Sequence, residues 1–246
     1  MHGSDLDMHS MNNWQDDQLQ ALLATRSDET FFSVLARCAM DLGFDYCAYG
    51  MRLPLPIAAP RVVMLNNYSP GWQRRYAEEG YLSIDPTVVH GHRSVMPLVW
   101  SESLFKQARR FWEDARGHGL RVGWSQSCHD SRGVGGLLTL ARAHEALSAQ
   151  ELRHKAERMA WLGQAAHEVL SARLLQRMTA QAPARLTRRE AEVLRWTADG
   201  ATSAQISDKL HVTERTVNFH INNVLIKLDA QNRTAGVVKA LRLGLI

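Results

Sequence analysis

Apolar positions in the first two thirds of the chain switch between a helical and a strand period. Between residues 29 and 42, Phe31, Phe32, Val34, Leu35, Cys38 and Ala39 recur at helical spacing, and residues 14–24 read the same way. Phe44–Arg52 and Arg61–Asn66 read as strands, and Pro54, Pro56 and Pro60 force a loop between them. Pro70–Glu79 predicts a short helix, Val95–Trp100 a strand, and Ser101–Gly117 an amphipathic helix. Leu120–Ser127 and Val134–Ala143 predict two strands joined by the turn-like stretch HDSRG. Ser148-Ala-Gln-Glu151 has the form of a capping box, in which the serine oxygen takes a free backbone N–H and the glutamate reaches back to the cap. It opens a helix to about Met178. The expected fold of residues 13–178 is an α/β/α sandwich with a mostly antiparallel sheet. Residues 1–12, polar and acidic, are expected to be a loose lead, and the small, polar residues 179–185 a linker.

From residue 186 the strand period disappears. Thr187-Arg-Arg-Glu190 is a second capping box, starting a helix to about Ala198 that Gly200 stops. Thr202-Ser-Ala-Gln205 is a third, starting a short helix that buries Ile206 and Leu210. Thr213 then caps a longer helix from Glu214 to Leu228, with Val212 and Val217 placed as a hydrophobic staple. A last helix, roughly Thr234–Leu243, ends at Gly244 with a trailing contact from Leu245 and Ile246. Two helices joined by a tight turn describe a helix-turn-helix, so residues 186–246 are expected to be an all-α four-helix domain and the whole chain α+β.

The second helix of that pair has two faces. Val217, Ile221, Val224, Leu225 and Leu228 share an arc of about 100° and face the core. Arg215, Phe219, Asn222 and Ile226 lie opposite, flanked by Thr216, Asn218 and Asn223. Asn can pair with adenine, Arg with guanine or phosphate, and Phe can meet a thymine methyl. A merely solvated face would not expose Phe219 and Ile226.

Charge points to the same place. Residues 185–246 carry ten Lys or Arg against six Asp or Glu, and the rest of the chain is balanced. The excess on the small domain suits a polyanion partner. No apolar run approaches the ~18 residues of a membrane helix, and the start of the chain has no apolar signal segment. Cys38, Cys47 and Cys128 are odd in number and lack CxxC spacing. Reduced thiols in a cytoplasmic protein are expected.

One stretch concentrates aromatics. NNYSPGWQRRYAEEGYLSIDP carries Tyr68, Trp72, Tyr76 and Tyr81 and ends on Asp85-Pro86. Ser69-Pro70 and Asp85-Pro86 both have the form of a helix start, so by itself Asp85 reads as a cap. The other reading makes this stretch the wall of a binding site with one inward carboxylate. Elsewhere chemistry is sparse. His90-Gly-His92 lacks a third metal ligand at a recognisable spacing, and Gly123-Trp-Ser125 lacks the closing glycine of a nucleophile elbow. Gly133-Val-Gly135-Gly136 lacks the ending of a phosphate loop. Trp14, Trp112, Trp124, Trp161 and Trp196 read as core or interface.

LTRREAEVLRWTADGATSAQISDKLHVTERTVNFHINNVLIKLDAQNRTA resembles the LuxR-type helix-turn-helix, with Glu190, Leu194, Gly200, Ile206, Leu210, Thr216-Val217, His220, Asn223, Lys227-Leu228 and Asn232-Arg233 at its hallmark positions. The resemblance implies binding to double-stranded DNA through Thr202, Arg215, Thr216, Asn218, Phe219, Asn222, Asn223 and Lys227. A phosphorylated receiver domain does not fit the N-terminal part, because no strand precedes Asp16-Asp17. That part resembles instead the autoinducer-binding domain of acyl-homoserine-lactone receptors: Trp72, Tyr76, Asp85, Pro86, Trp100 and Gly123 fall at its spacings, and Tyr68 and Thr139 at further ligand positions. The resemblance implies an N-acyl-homoserine lactone whose amide N–H is accepted by Asp85. The Trp72 indole would donate to the lactone carbonyl, and the Tyr68 and Thr139 hydroxyls to the amide carbonyl. Tyr76 and Trp100 would wall the ring, with Ser125 near the lactone end. The implied protein is a quorum-sensing transcription regulator without cofactor, metal or membrane segment, acting as a homodimer on a palindromic site. A constitutive or differently liganded regulator of the same type is the alternative. A lactone-cleaving enzyme ranks below both, for want of a nucleophile–base pair.

Overall fold

The computed structural model describes residues 3–56, 58–130, 133–180 and 185–246. They form two compact units, one mainly of the chain up to Ser171 and the other mainly of the chain from Ala172 onward.

The first unit contains α1 (Gly3–Ala24), α2 (Asp28–Asp41), β1 (Tyr46–Arg52), β2 (Val62–Asn66), α3 (Pro70–Glu78), a 3-10 turn (Tyr81–Ser83), α4 (Pro86–Gly91), β3 (Leu98–Val99), α5 (Arg109–Gly117), β4 (Val122–His129), β5 (Gly135–Arg142) and the start of α6 (Ala149–Ala180). The strands form one sheet in the order β2-β1-β5-β4-β3. Every neighbouring pair is antiparallel. Successive side chains on a strand point to opposite faces, and that period divides the layers. On one face Tyr49 of β1 meets His167 of α6, hydroxyl to Nδ1 at 2.6 Å. Leu138 of β5 and Cys128 of β4 pack against Gly163 of the same helix. On the other face Tyr46 of β1 and Ala141 of β5 join an aromatic cluster supplied by α3 and α5. The expected α/β/α layering is therefore present.

Three local expectations change. The stretch expected to be a loose lead is helical from Gly3, as part of α1. Helix growth past a first turn adds one bond per residue fixed, so a helix packed over its later turns extends readily beyond them. The strand expected over 95–100 shrinks to Leu98–Val99. Gln126 Nε2 donates to Val95 O at 3.1 Å and Ser127 Oγ to Ser94 O at 2.8 Å, so side chains bind the backbone groups that a ladder would have used. The helix expected over 101–117 begins only at Arg109, after a non-helical Ala108. Residues between bend so that Phe105 stacks on Trp112, with centroids 4.2 Å apart. The Ser148 box is half formed. Ser148 Oγ accepts Glu151 N–H at 3.1 Å, while the Glu151 carboxylate takes two bonds from Arg142 and one from Lys155. Of the expected linker, residues 181–184 lie outside the described residues, as do residues 1 and 2 of the expected lead.

The second unit is helical: α7 (Arg188–Ala198), α8 (Ser203–Leu210), α9 (Glu214–Lys227) and α10 (Arg233–Arg242). Thr187 and Thr202 both close reciprocal capping boxes, with Glu190 and Gln205. Thr213 caps α9 through Thr216 N–H at 3.2 Å. Gly200 sits at φ +85° after α7, a conformation that costs any residue with a Cβ about 1 kcal/mol or more. Val193, Ile206, Val217 and Ile221 make one core, with Val212 packed on it as the staple requires. Leu194, Val224, Leu228 and Ala240 make another, covered by Leu245 and Ile246.

Candidate functional site

Four of the expected ligand residues share one aromatic cluster. Trp72 is buried at its centre, with Tyr81, Phe105, Phe111 and Trp112, and with Tyr68, Tyr76 and Trp100 at its edge. The Trp72 ring lies 5.7 Å from Tyr76, edge to face, and 5.7 Å from Phe111. Such contacts favour a rigid wall, because each ring fixes its neighbour's tilt. The wall exists because α3 carries Trp72 and Tyr76 one turn apart and α5 carries Phe111, Trp112 and Ala115 on one stripe. An Asp114 carboxylate braces the two helices: it accepts Arg75 Nε at 2.7 Å and the Tyr81 hydroxyl at 2.5 Å.

Asp85 is both a cap and a wall residue. Oδ1 accepts Thr87 N–H and Thr87 Oγ1–H, each at 2.8 Å, and starts α4. Oδ2 accepts the Tyr76 hydroxyl at 3.0 Å and so turns toward the aromatic cluster. The residue is 7% exposed. Burial raises its pKa above the ordinary carboxylate range, opposed by the Thr87, Tyr76 and Val88 hydrogen bonds. Burial likewise raises the Tyr76 and Tyr68 hydroxyls, so both stay protonated as donors.

The remaining polar groups come from the sheet. Trp100 Nε1 donates to Ser125 Oγ at 3.0 Å, and Ser125 Oγ lies 3.0 Å from Thr139 Oγ1. Ser125 and Thr139 face each other across β4 and β5. Trp100 reaches them because Gly123, two residues before Ser125, has no side chain: a Cβ there would lie 2.4 Å from the Trp100 ring. Trp100 is therefore a hydrogen-bonded member of the site as well as a wall, and Ser125 is its hub. By contrast, neither the Tyr68 hydroxyl nor the Trp72 indole N–H has a hydrogen-bond partner among the described residues. With Trp112 Nε1, also buried without a partner, the arrangement offers three unengaged donors and a carboxylate inside an apolar wall, which is how a neutral polar ligand is oriented.

In the second unit, α9 presents the expected outer face. Phe219 is 60% exposed and Ile226 74%, with Arg215 and Asn222 exposed beside them. Four other expected DNA contacts are engaged within the unit. Lys227 donates to the buried Glu190 carboxylate at 2.7 Å and to Arg185 O at 3.2 Å. Its charge is balanced by that carboxylate. Thr202 Oγ1 caps α8 by accepting Gln205 N–H at 3.3 Å. Asn218 Oδ1 accepts Ser203 Oγ and Arg233 NH2. Thr216 Oγ1 lies 2.9 Å from Thr213 Oγ1 at the helix start, and Asn223 is half-buried.

Comparison with known proteins covers both units. The autoinducer binding domain family matches residues 27–170, and the family described as bacterial regulatory proteins, luxR family, matches residues 184–240. The chain is a LuxR-family regulator. The transcriptional activator protein AnoR of Acinetobacter nosocomialis is 46% identical over 96% of this chain and 100% of its own length. The HTH-type quorum-sensing regulator RhlR of Pseudomonas aeruginosa is 35% identical over 95% of this chain and 96% of its own. Among solved structures, SdiA in complex with octanoyl-rac-glycerol matches with a TM-score of 0.80 and 31% identity, over 96% of each chain; SdiA is a regulatory protein of Escherichia coli. The relatives are transcription regulators, and the LuxR-family chain is one too, not an enzyme.

Sequence reasoning named only part of the aromatic cluster of the LuxR-family chain as site residues. Trp112, expected as core or interface, is 7% exposed and is core, 6.0 Å from Trp100, edge to face. Phe105, Phe111 and Tyr81 complete the same cluster. The signal was available as Phe111-Trp112 beside Ala115 on one helical stripe. Phe105 gave none, because its position depends on the bend before α5. Among the described residues of the regulator, no three His, Cys, Asp or Glu are grouped to hold a metal, and no helix is long and apolar enough to cross a membrane.

Proposed function

We propose that this LuxR-family regulator binds an N-acyl-homoserine lactone in the first unit and, as a homodimer, a palindromic DNA site through α9. Residues 13–178 would be the sensor and residues 186–246 the DNA reader. The observation that carries the ligand reading is the asymmetry of the polar groups. The Trp72 indole N–H and the Tyr68 O–H have no acceptor among the described residues, while the buried Asp85 carboxylate accepts but cannot donate. A lactone amide supplies what each lacks: carbonyls for the two donors, and one N–H for the carboxylate. The Thr139 hydroxyl, next to Ser125, is a further donor toward the amide carbonyl. Tyr76 and Trp100 wall the lactone ring, and the aromatic cluster shields these bonds from water, so each unmade one would cost about 1–3 kcal/mol.

Ligand binding would stabilise the sensor by mass action, about 2.7 kcal/mol at a hundredfold excess over Kd. Two α9 helices spaced by a dimer would meet half-sites about one helical turn apart. Arg215, Phe219 and Asn222 are the exposed candidates for base contacts, with Thr216, Asn218 and Asn223 beside them. Thr202 and Lys227 act by holding the helices in place. The test is to express the protein with and without a panel of N-acyl-homoserine lactones. Mass spectrometry then identifies what co-purifies, and melting and operator binding are compared. Equal melting, equal operator affinity and no lactone recovered would sink the ligand reading. Operator binding by a protein that sediments as a monomer at saturating DNA would sink the dimer.

A further inference from the structure

Asn218 lies in the first half of α9 with its side-chain carbonyl held from two sides. Oδ1 accepts Arg233 NH2 at 2.6 Å and Ser203 Oγ at 2.8 Å. Arg233 NH1 also donates to Ser203 Oγ at 3.0 Å. The three side chains close a triangle that joins the first residue of α8, the first residue of α10 and the reader helix. A guanidinium can only donate, so the Asn218 atom facing it must be the oxygen. That fixes which way the amide points. Two donors fill the two lone pairs of Oδ1, and Nδ2 has no partner among the described residues.

A free asparagine recognises adenine with both ends, accepting from N6–H and donating to N7. Asn218 has only the donating end to offer. We propose that Ser203 and Arg233 are positioning residues that turn Asn218 into a donor-only reader. The base pair it meets is then selected for an acceptor edge, guanine O6/N7 or thymine O4, and adenine loses the second bond that would single it out. The proposal rests on α9 being the helix that enters the major groove. The exposed residues of α9 have no such tie among the described residues, so the effect is confined to one position of each half-site.

The experiment uses the full chain with saturating N-acyl-homoserine lactone and a pool of randomised DNA duplexes, reading base preference at each operator position. Asn218→Ala first locates the position, where preference flattens. The double variant Ser203→Ala/Arg233→Met, which leaves no donor on either side chain, should then raise the preference for adenine at that position about tenfold or more, with other positions as in wild type. Arg233→Lys in the otherwise native chain keeps a donor and should keep the wild-type preference. If the double variant folds poorly, Arg233→Met alone frees one lone pair and should move the preference in the same direction. A double or single variant that binds with the wild-type preference at that position overturns the proposal. So does an Asn218→Ala profile that is unchanged while Asn222→Ala flattens one position. If no α9 substitution alters any base preference, it is the reading of α9 as the reader that fails.

Discussion

Replacing Asp85 by asparagine separates the two jobs of its carboxylate. Oδ1, which caps α4 through Thr87 at 2.8 Å, survives as an amide oxygen. Oδ2, which accepts the Tyr76 hydroxyl at 3.0 Å, becomes an NH2 group. The Tyr76 hydroxyl can rotate and accept from it, since a phenol does both. Asparagine is as good an N-cap as aspartate, and the variant also removes a buried negative charge. The unliganded protein should therefore melt within about 2 °C of wild type, because 1 kcal/mol corresponds to about 2–4 °C in a unit of this size. The ligand amide N–H, however, would face a donor. Leaving it unpaired costs about 1–3 kcal/mol, so lactone affinity should fall roughly 5- to 150-fold. Asp85→Ala is the contrast: it loses the cap as well, about 1 kcal/mol, and strands the Tyr76 hydroxyl, so its unliganded melting should drop by about 4 °C or more. Scanning calorimetry of the unliganded proteins and isothermal titration with the lactone measure both quantities. If Asp85→Asn binds lactone within twofold of wild type, the carboxylate does not meet the ligand, and only its cap remains.

Gly123→Ala would put a Cβ 2.4 Å from the Trp100 ring; overpacking of this kind costs about 1–3 kcal/mol, and adding Trp100→Ala should recover part of the lost melting temperature. Glu151 is held at about pKa 2, chiefly by Arg142 hydrogen bonds and then by Lys155, against 4.5 for a free glutamate. Its stabilisation is complete above pH 4.5 and is lost as pH falls toward 2, so urea titrations between pH 5 and 3 should show Glu151→Gln with a shallower decline than wild type. Lys227→Met leaves Glu190, 3% exposed, without its counter-ion, which should lower the melting of the second unit by about 2 kcal/mol. The salt dependence of operator binding should stay the same, whereas loss of a phosphate contact would lower its slope by about one.

Much of this molecule was legible because its sequence signals are local. The capping boxes at Thr187 and Thr202 and the period of α9 each depend on residues within a few positions, and each appears where expected. Where long-range partners intervened, local reading failed. Glu151 has the spacing of a box but meets Arg142, nine residues away in sequence, which offers a bidentate ion pair where the cap N–H offers one bond. Ser101–Gly117 has a helical stripe throughout, yet burying Phe105 on Trp112 outweighs the first turns. For the candidate site, residue types and spacing named side chains that do pack together, but they could not say that Asp85 divides its two oxygens between Thr87 and Tyr76. Nor could they say that Lys227 faces inward. Both depend on where a partner's hydrogen bond arrives.

The reader helix is fastened at both ends, by Asn218 to Ser203 and Arg233 at the front and by Lys227 to Glu190 at the back. A helix held in this way has little ordering entropy to lose on meeting DNA. Its outer residues Arg215, Phe219, Asn222 and Ile226 take no part in the fastening. On the proposed reading of α9, lineages descended from this regulator can acquire new operators by exchanging those four side chains while Ser203, Arg233, Lys227 and Glu190 stay fixed. In evolutionary terms, the vocabulary of the reader is free to drift and its posture is not.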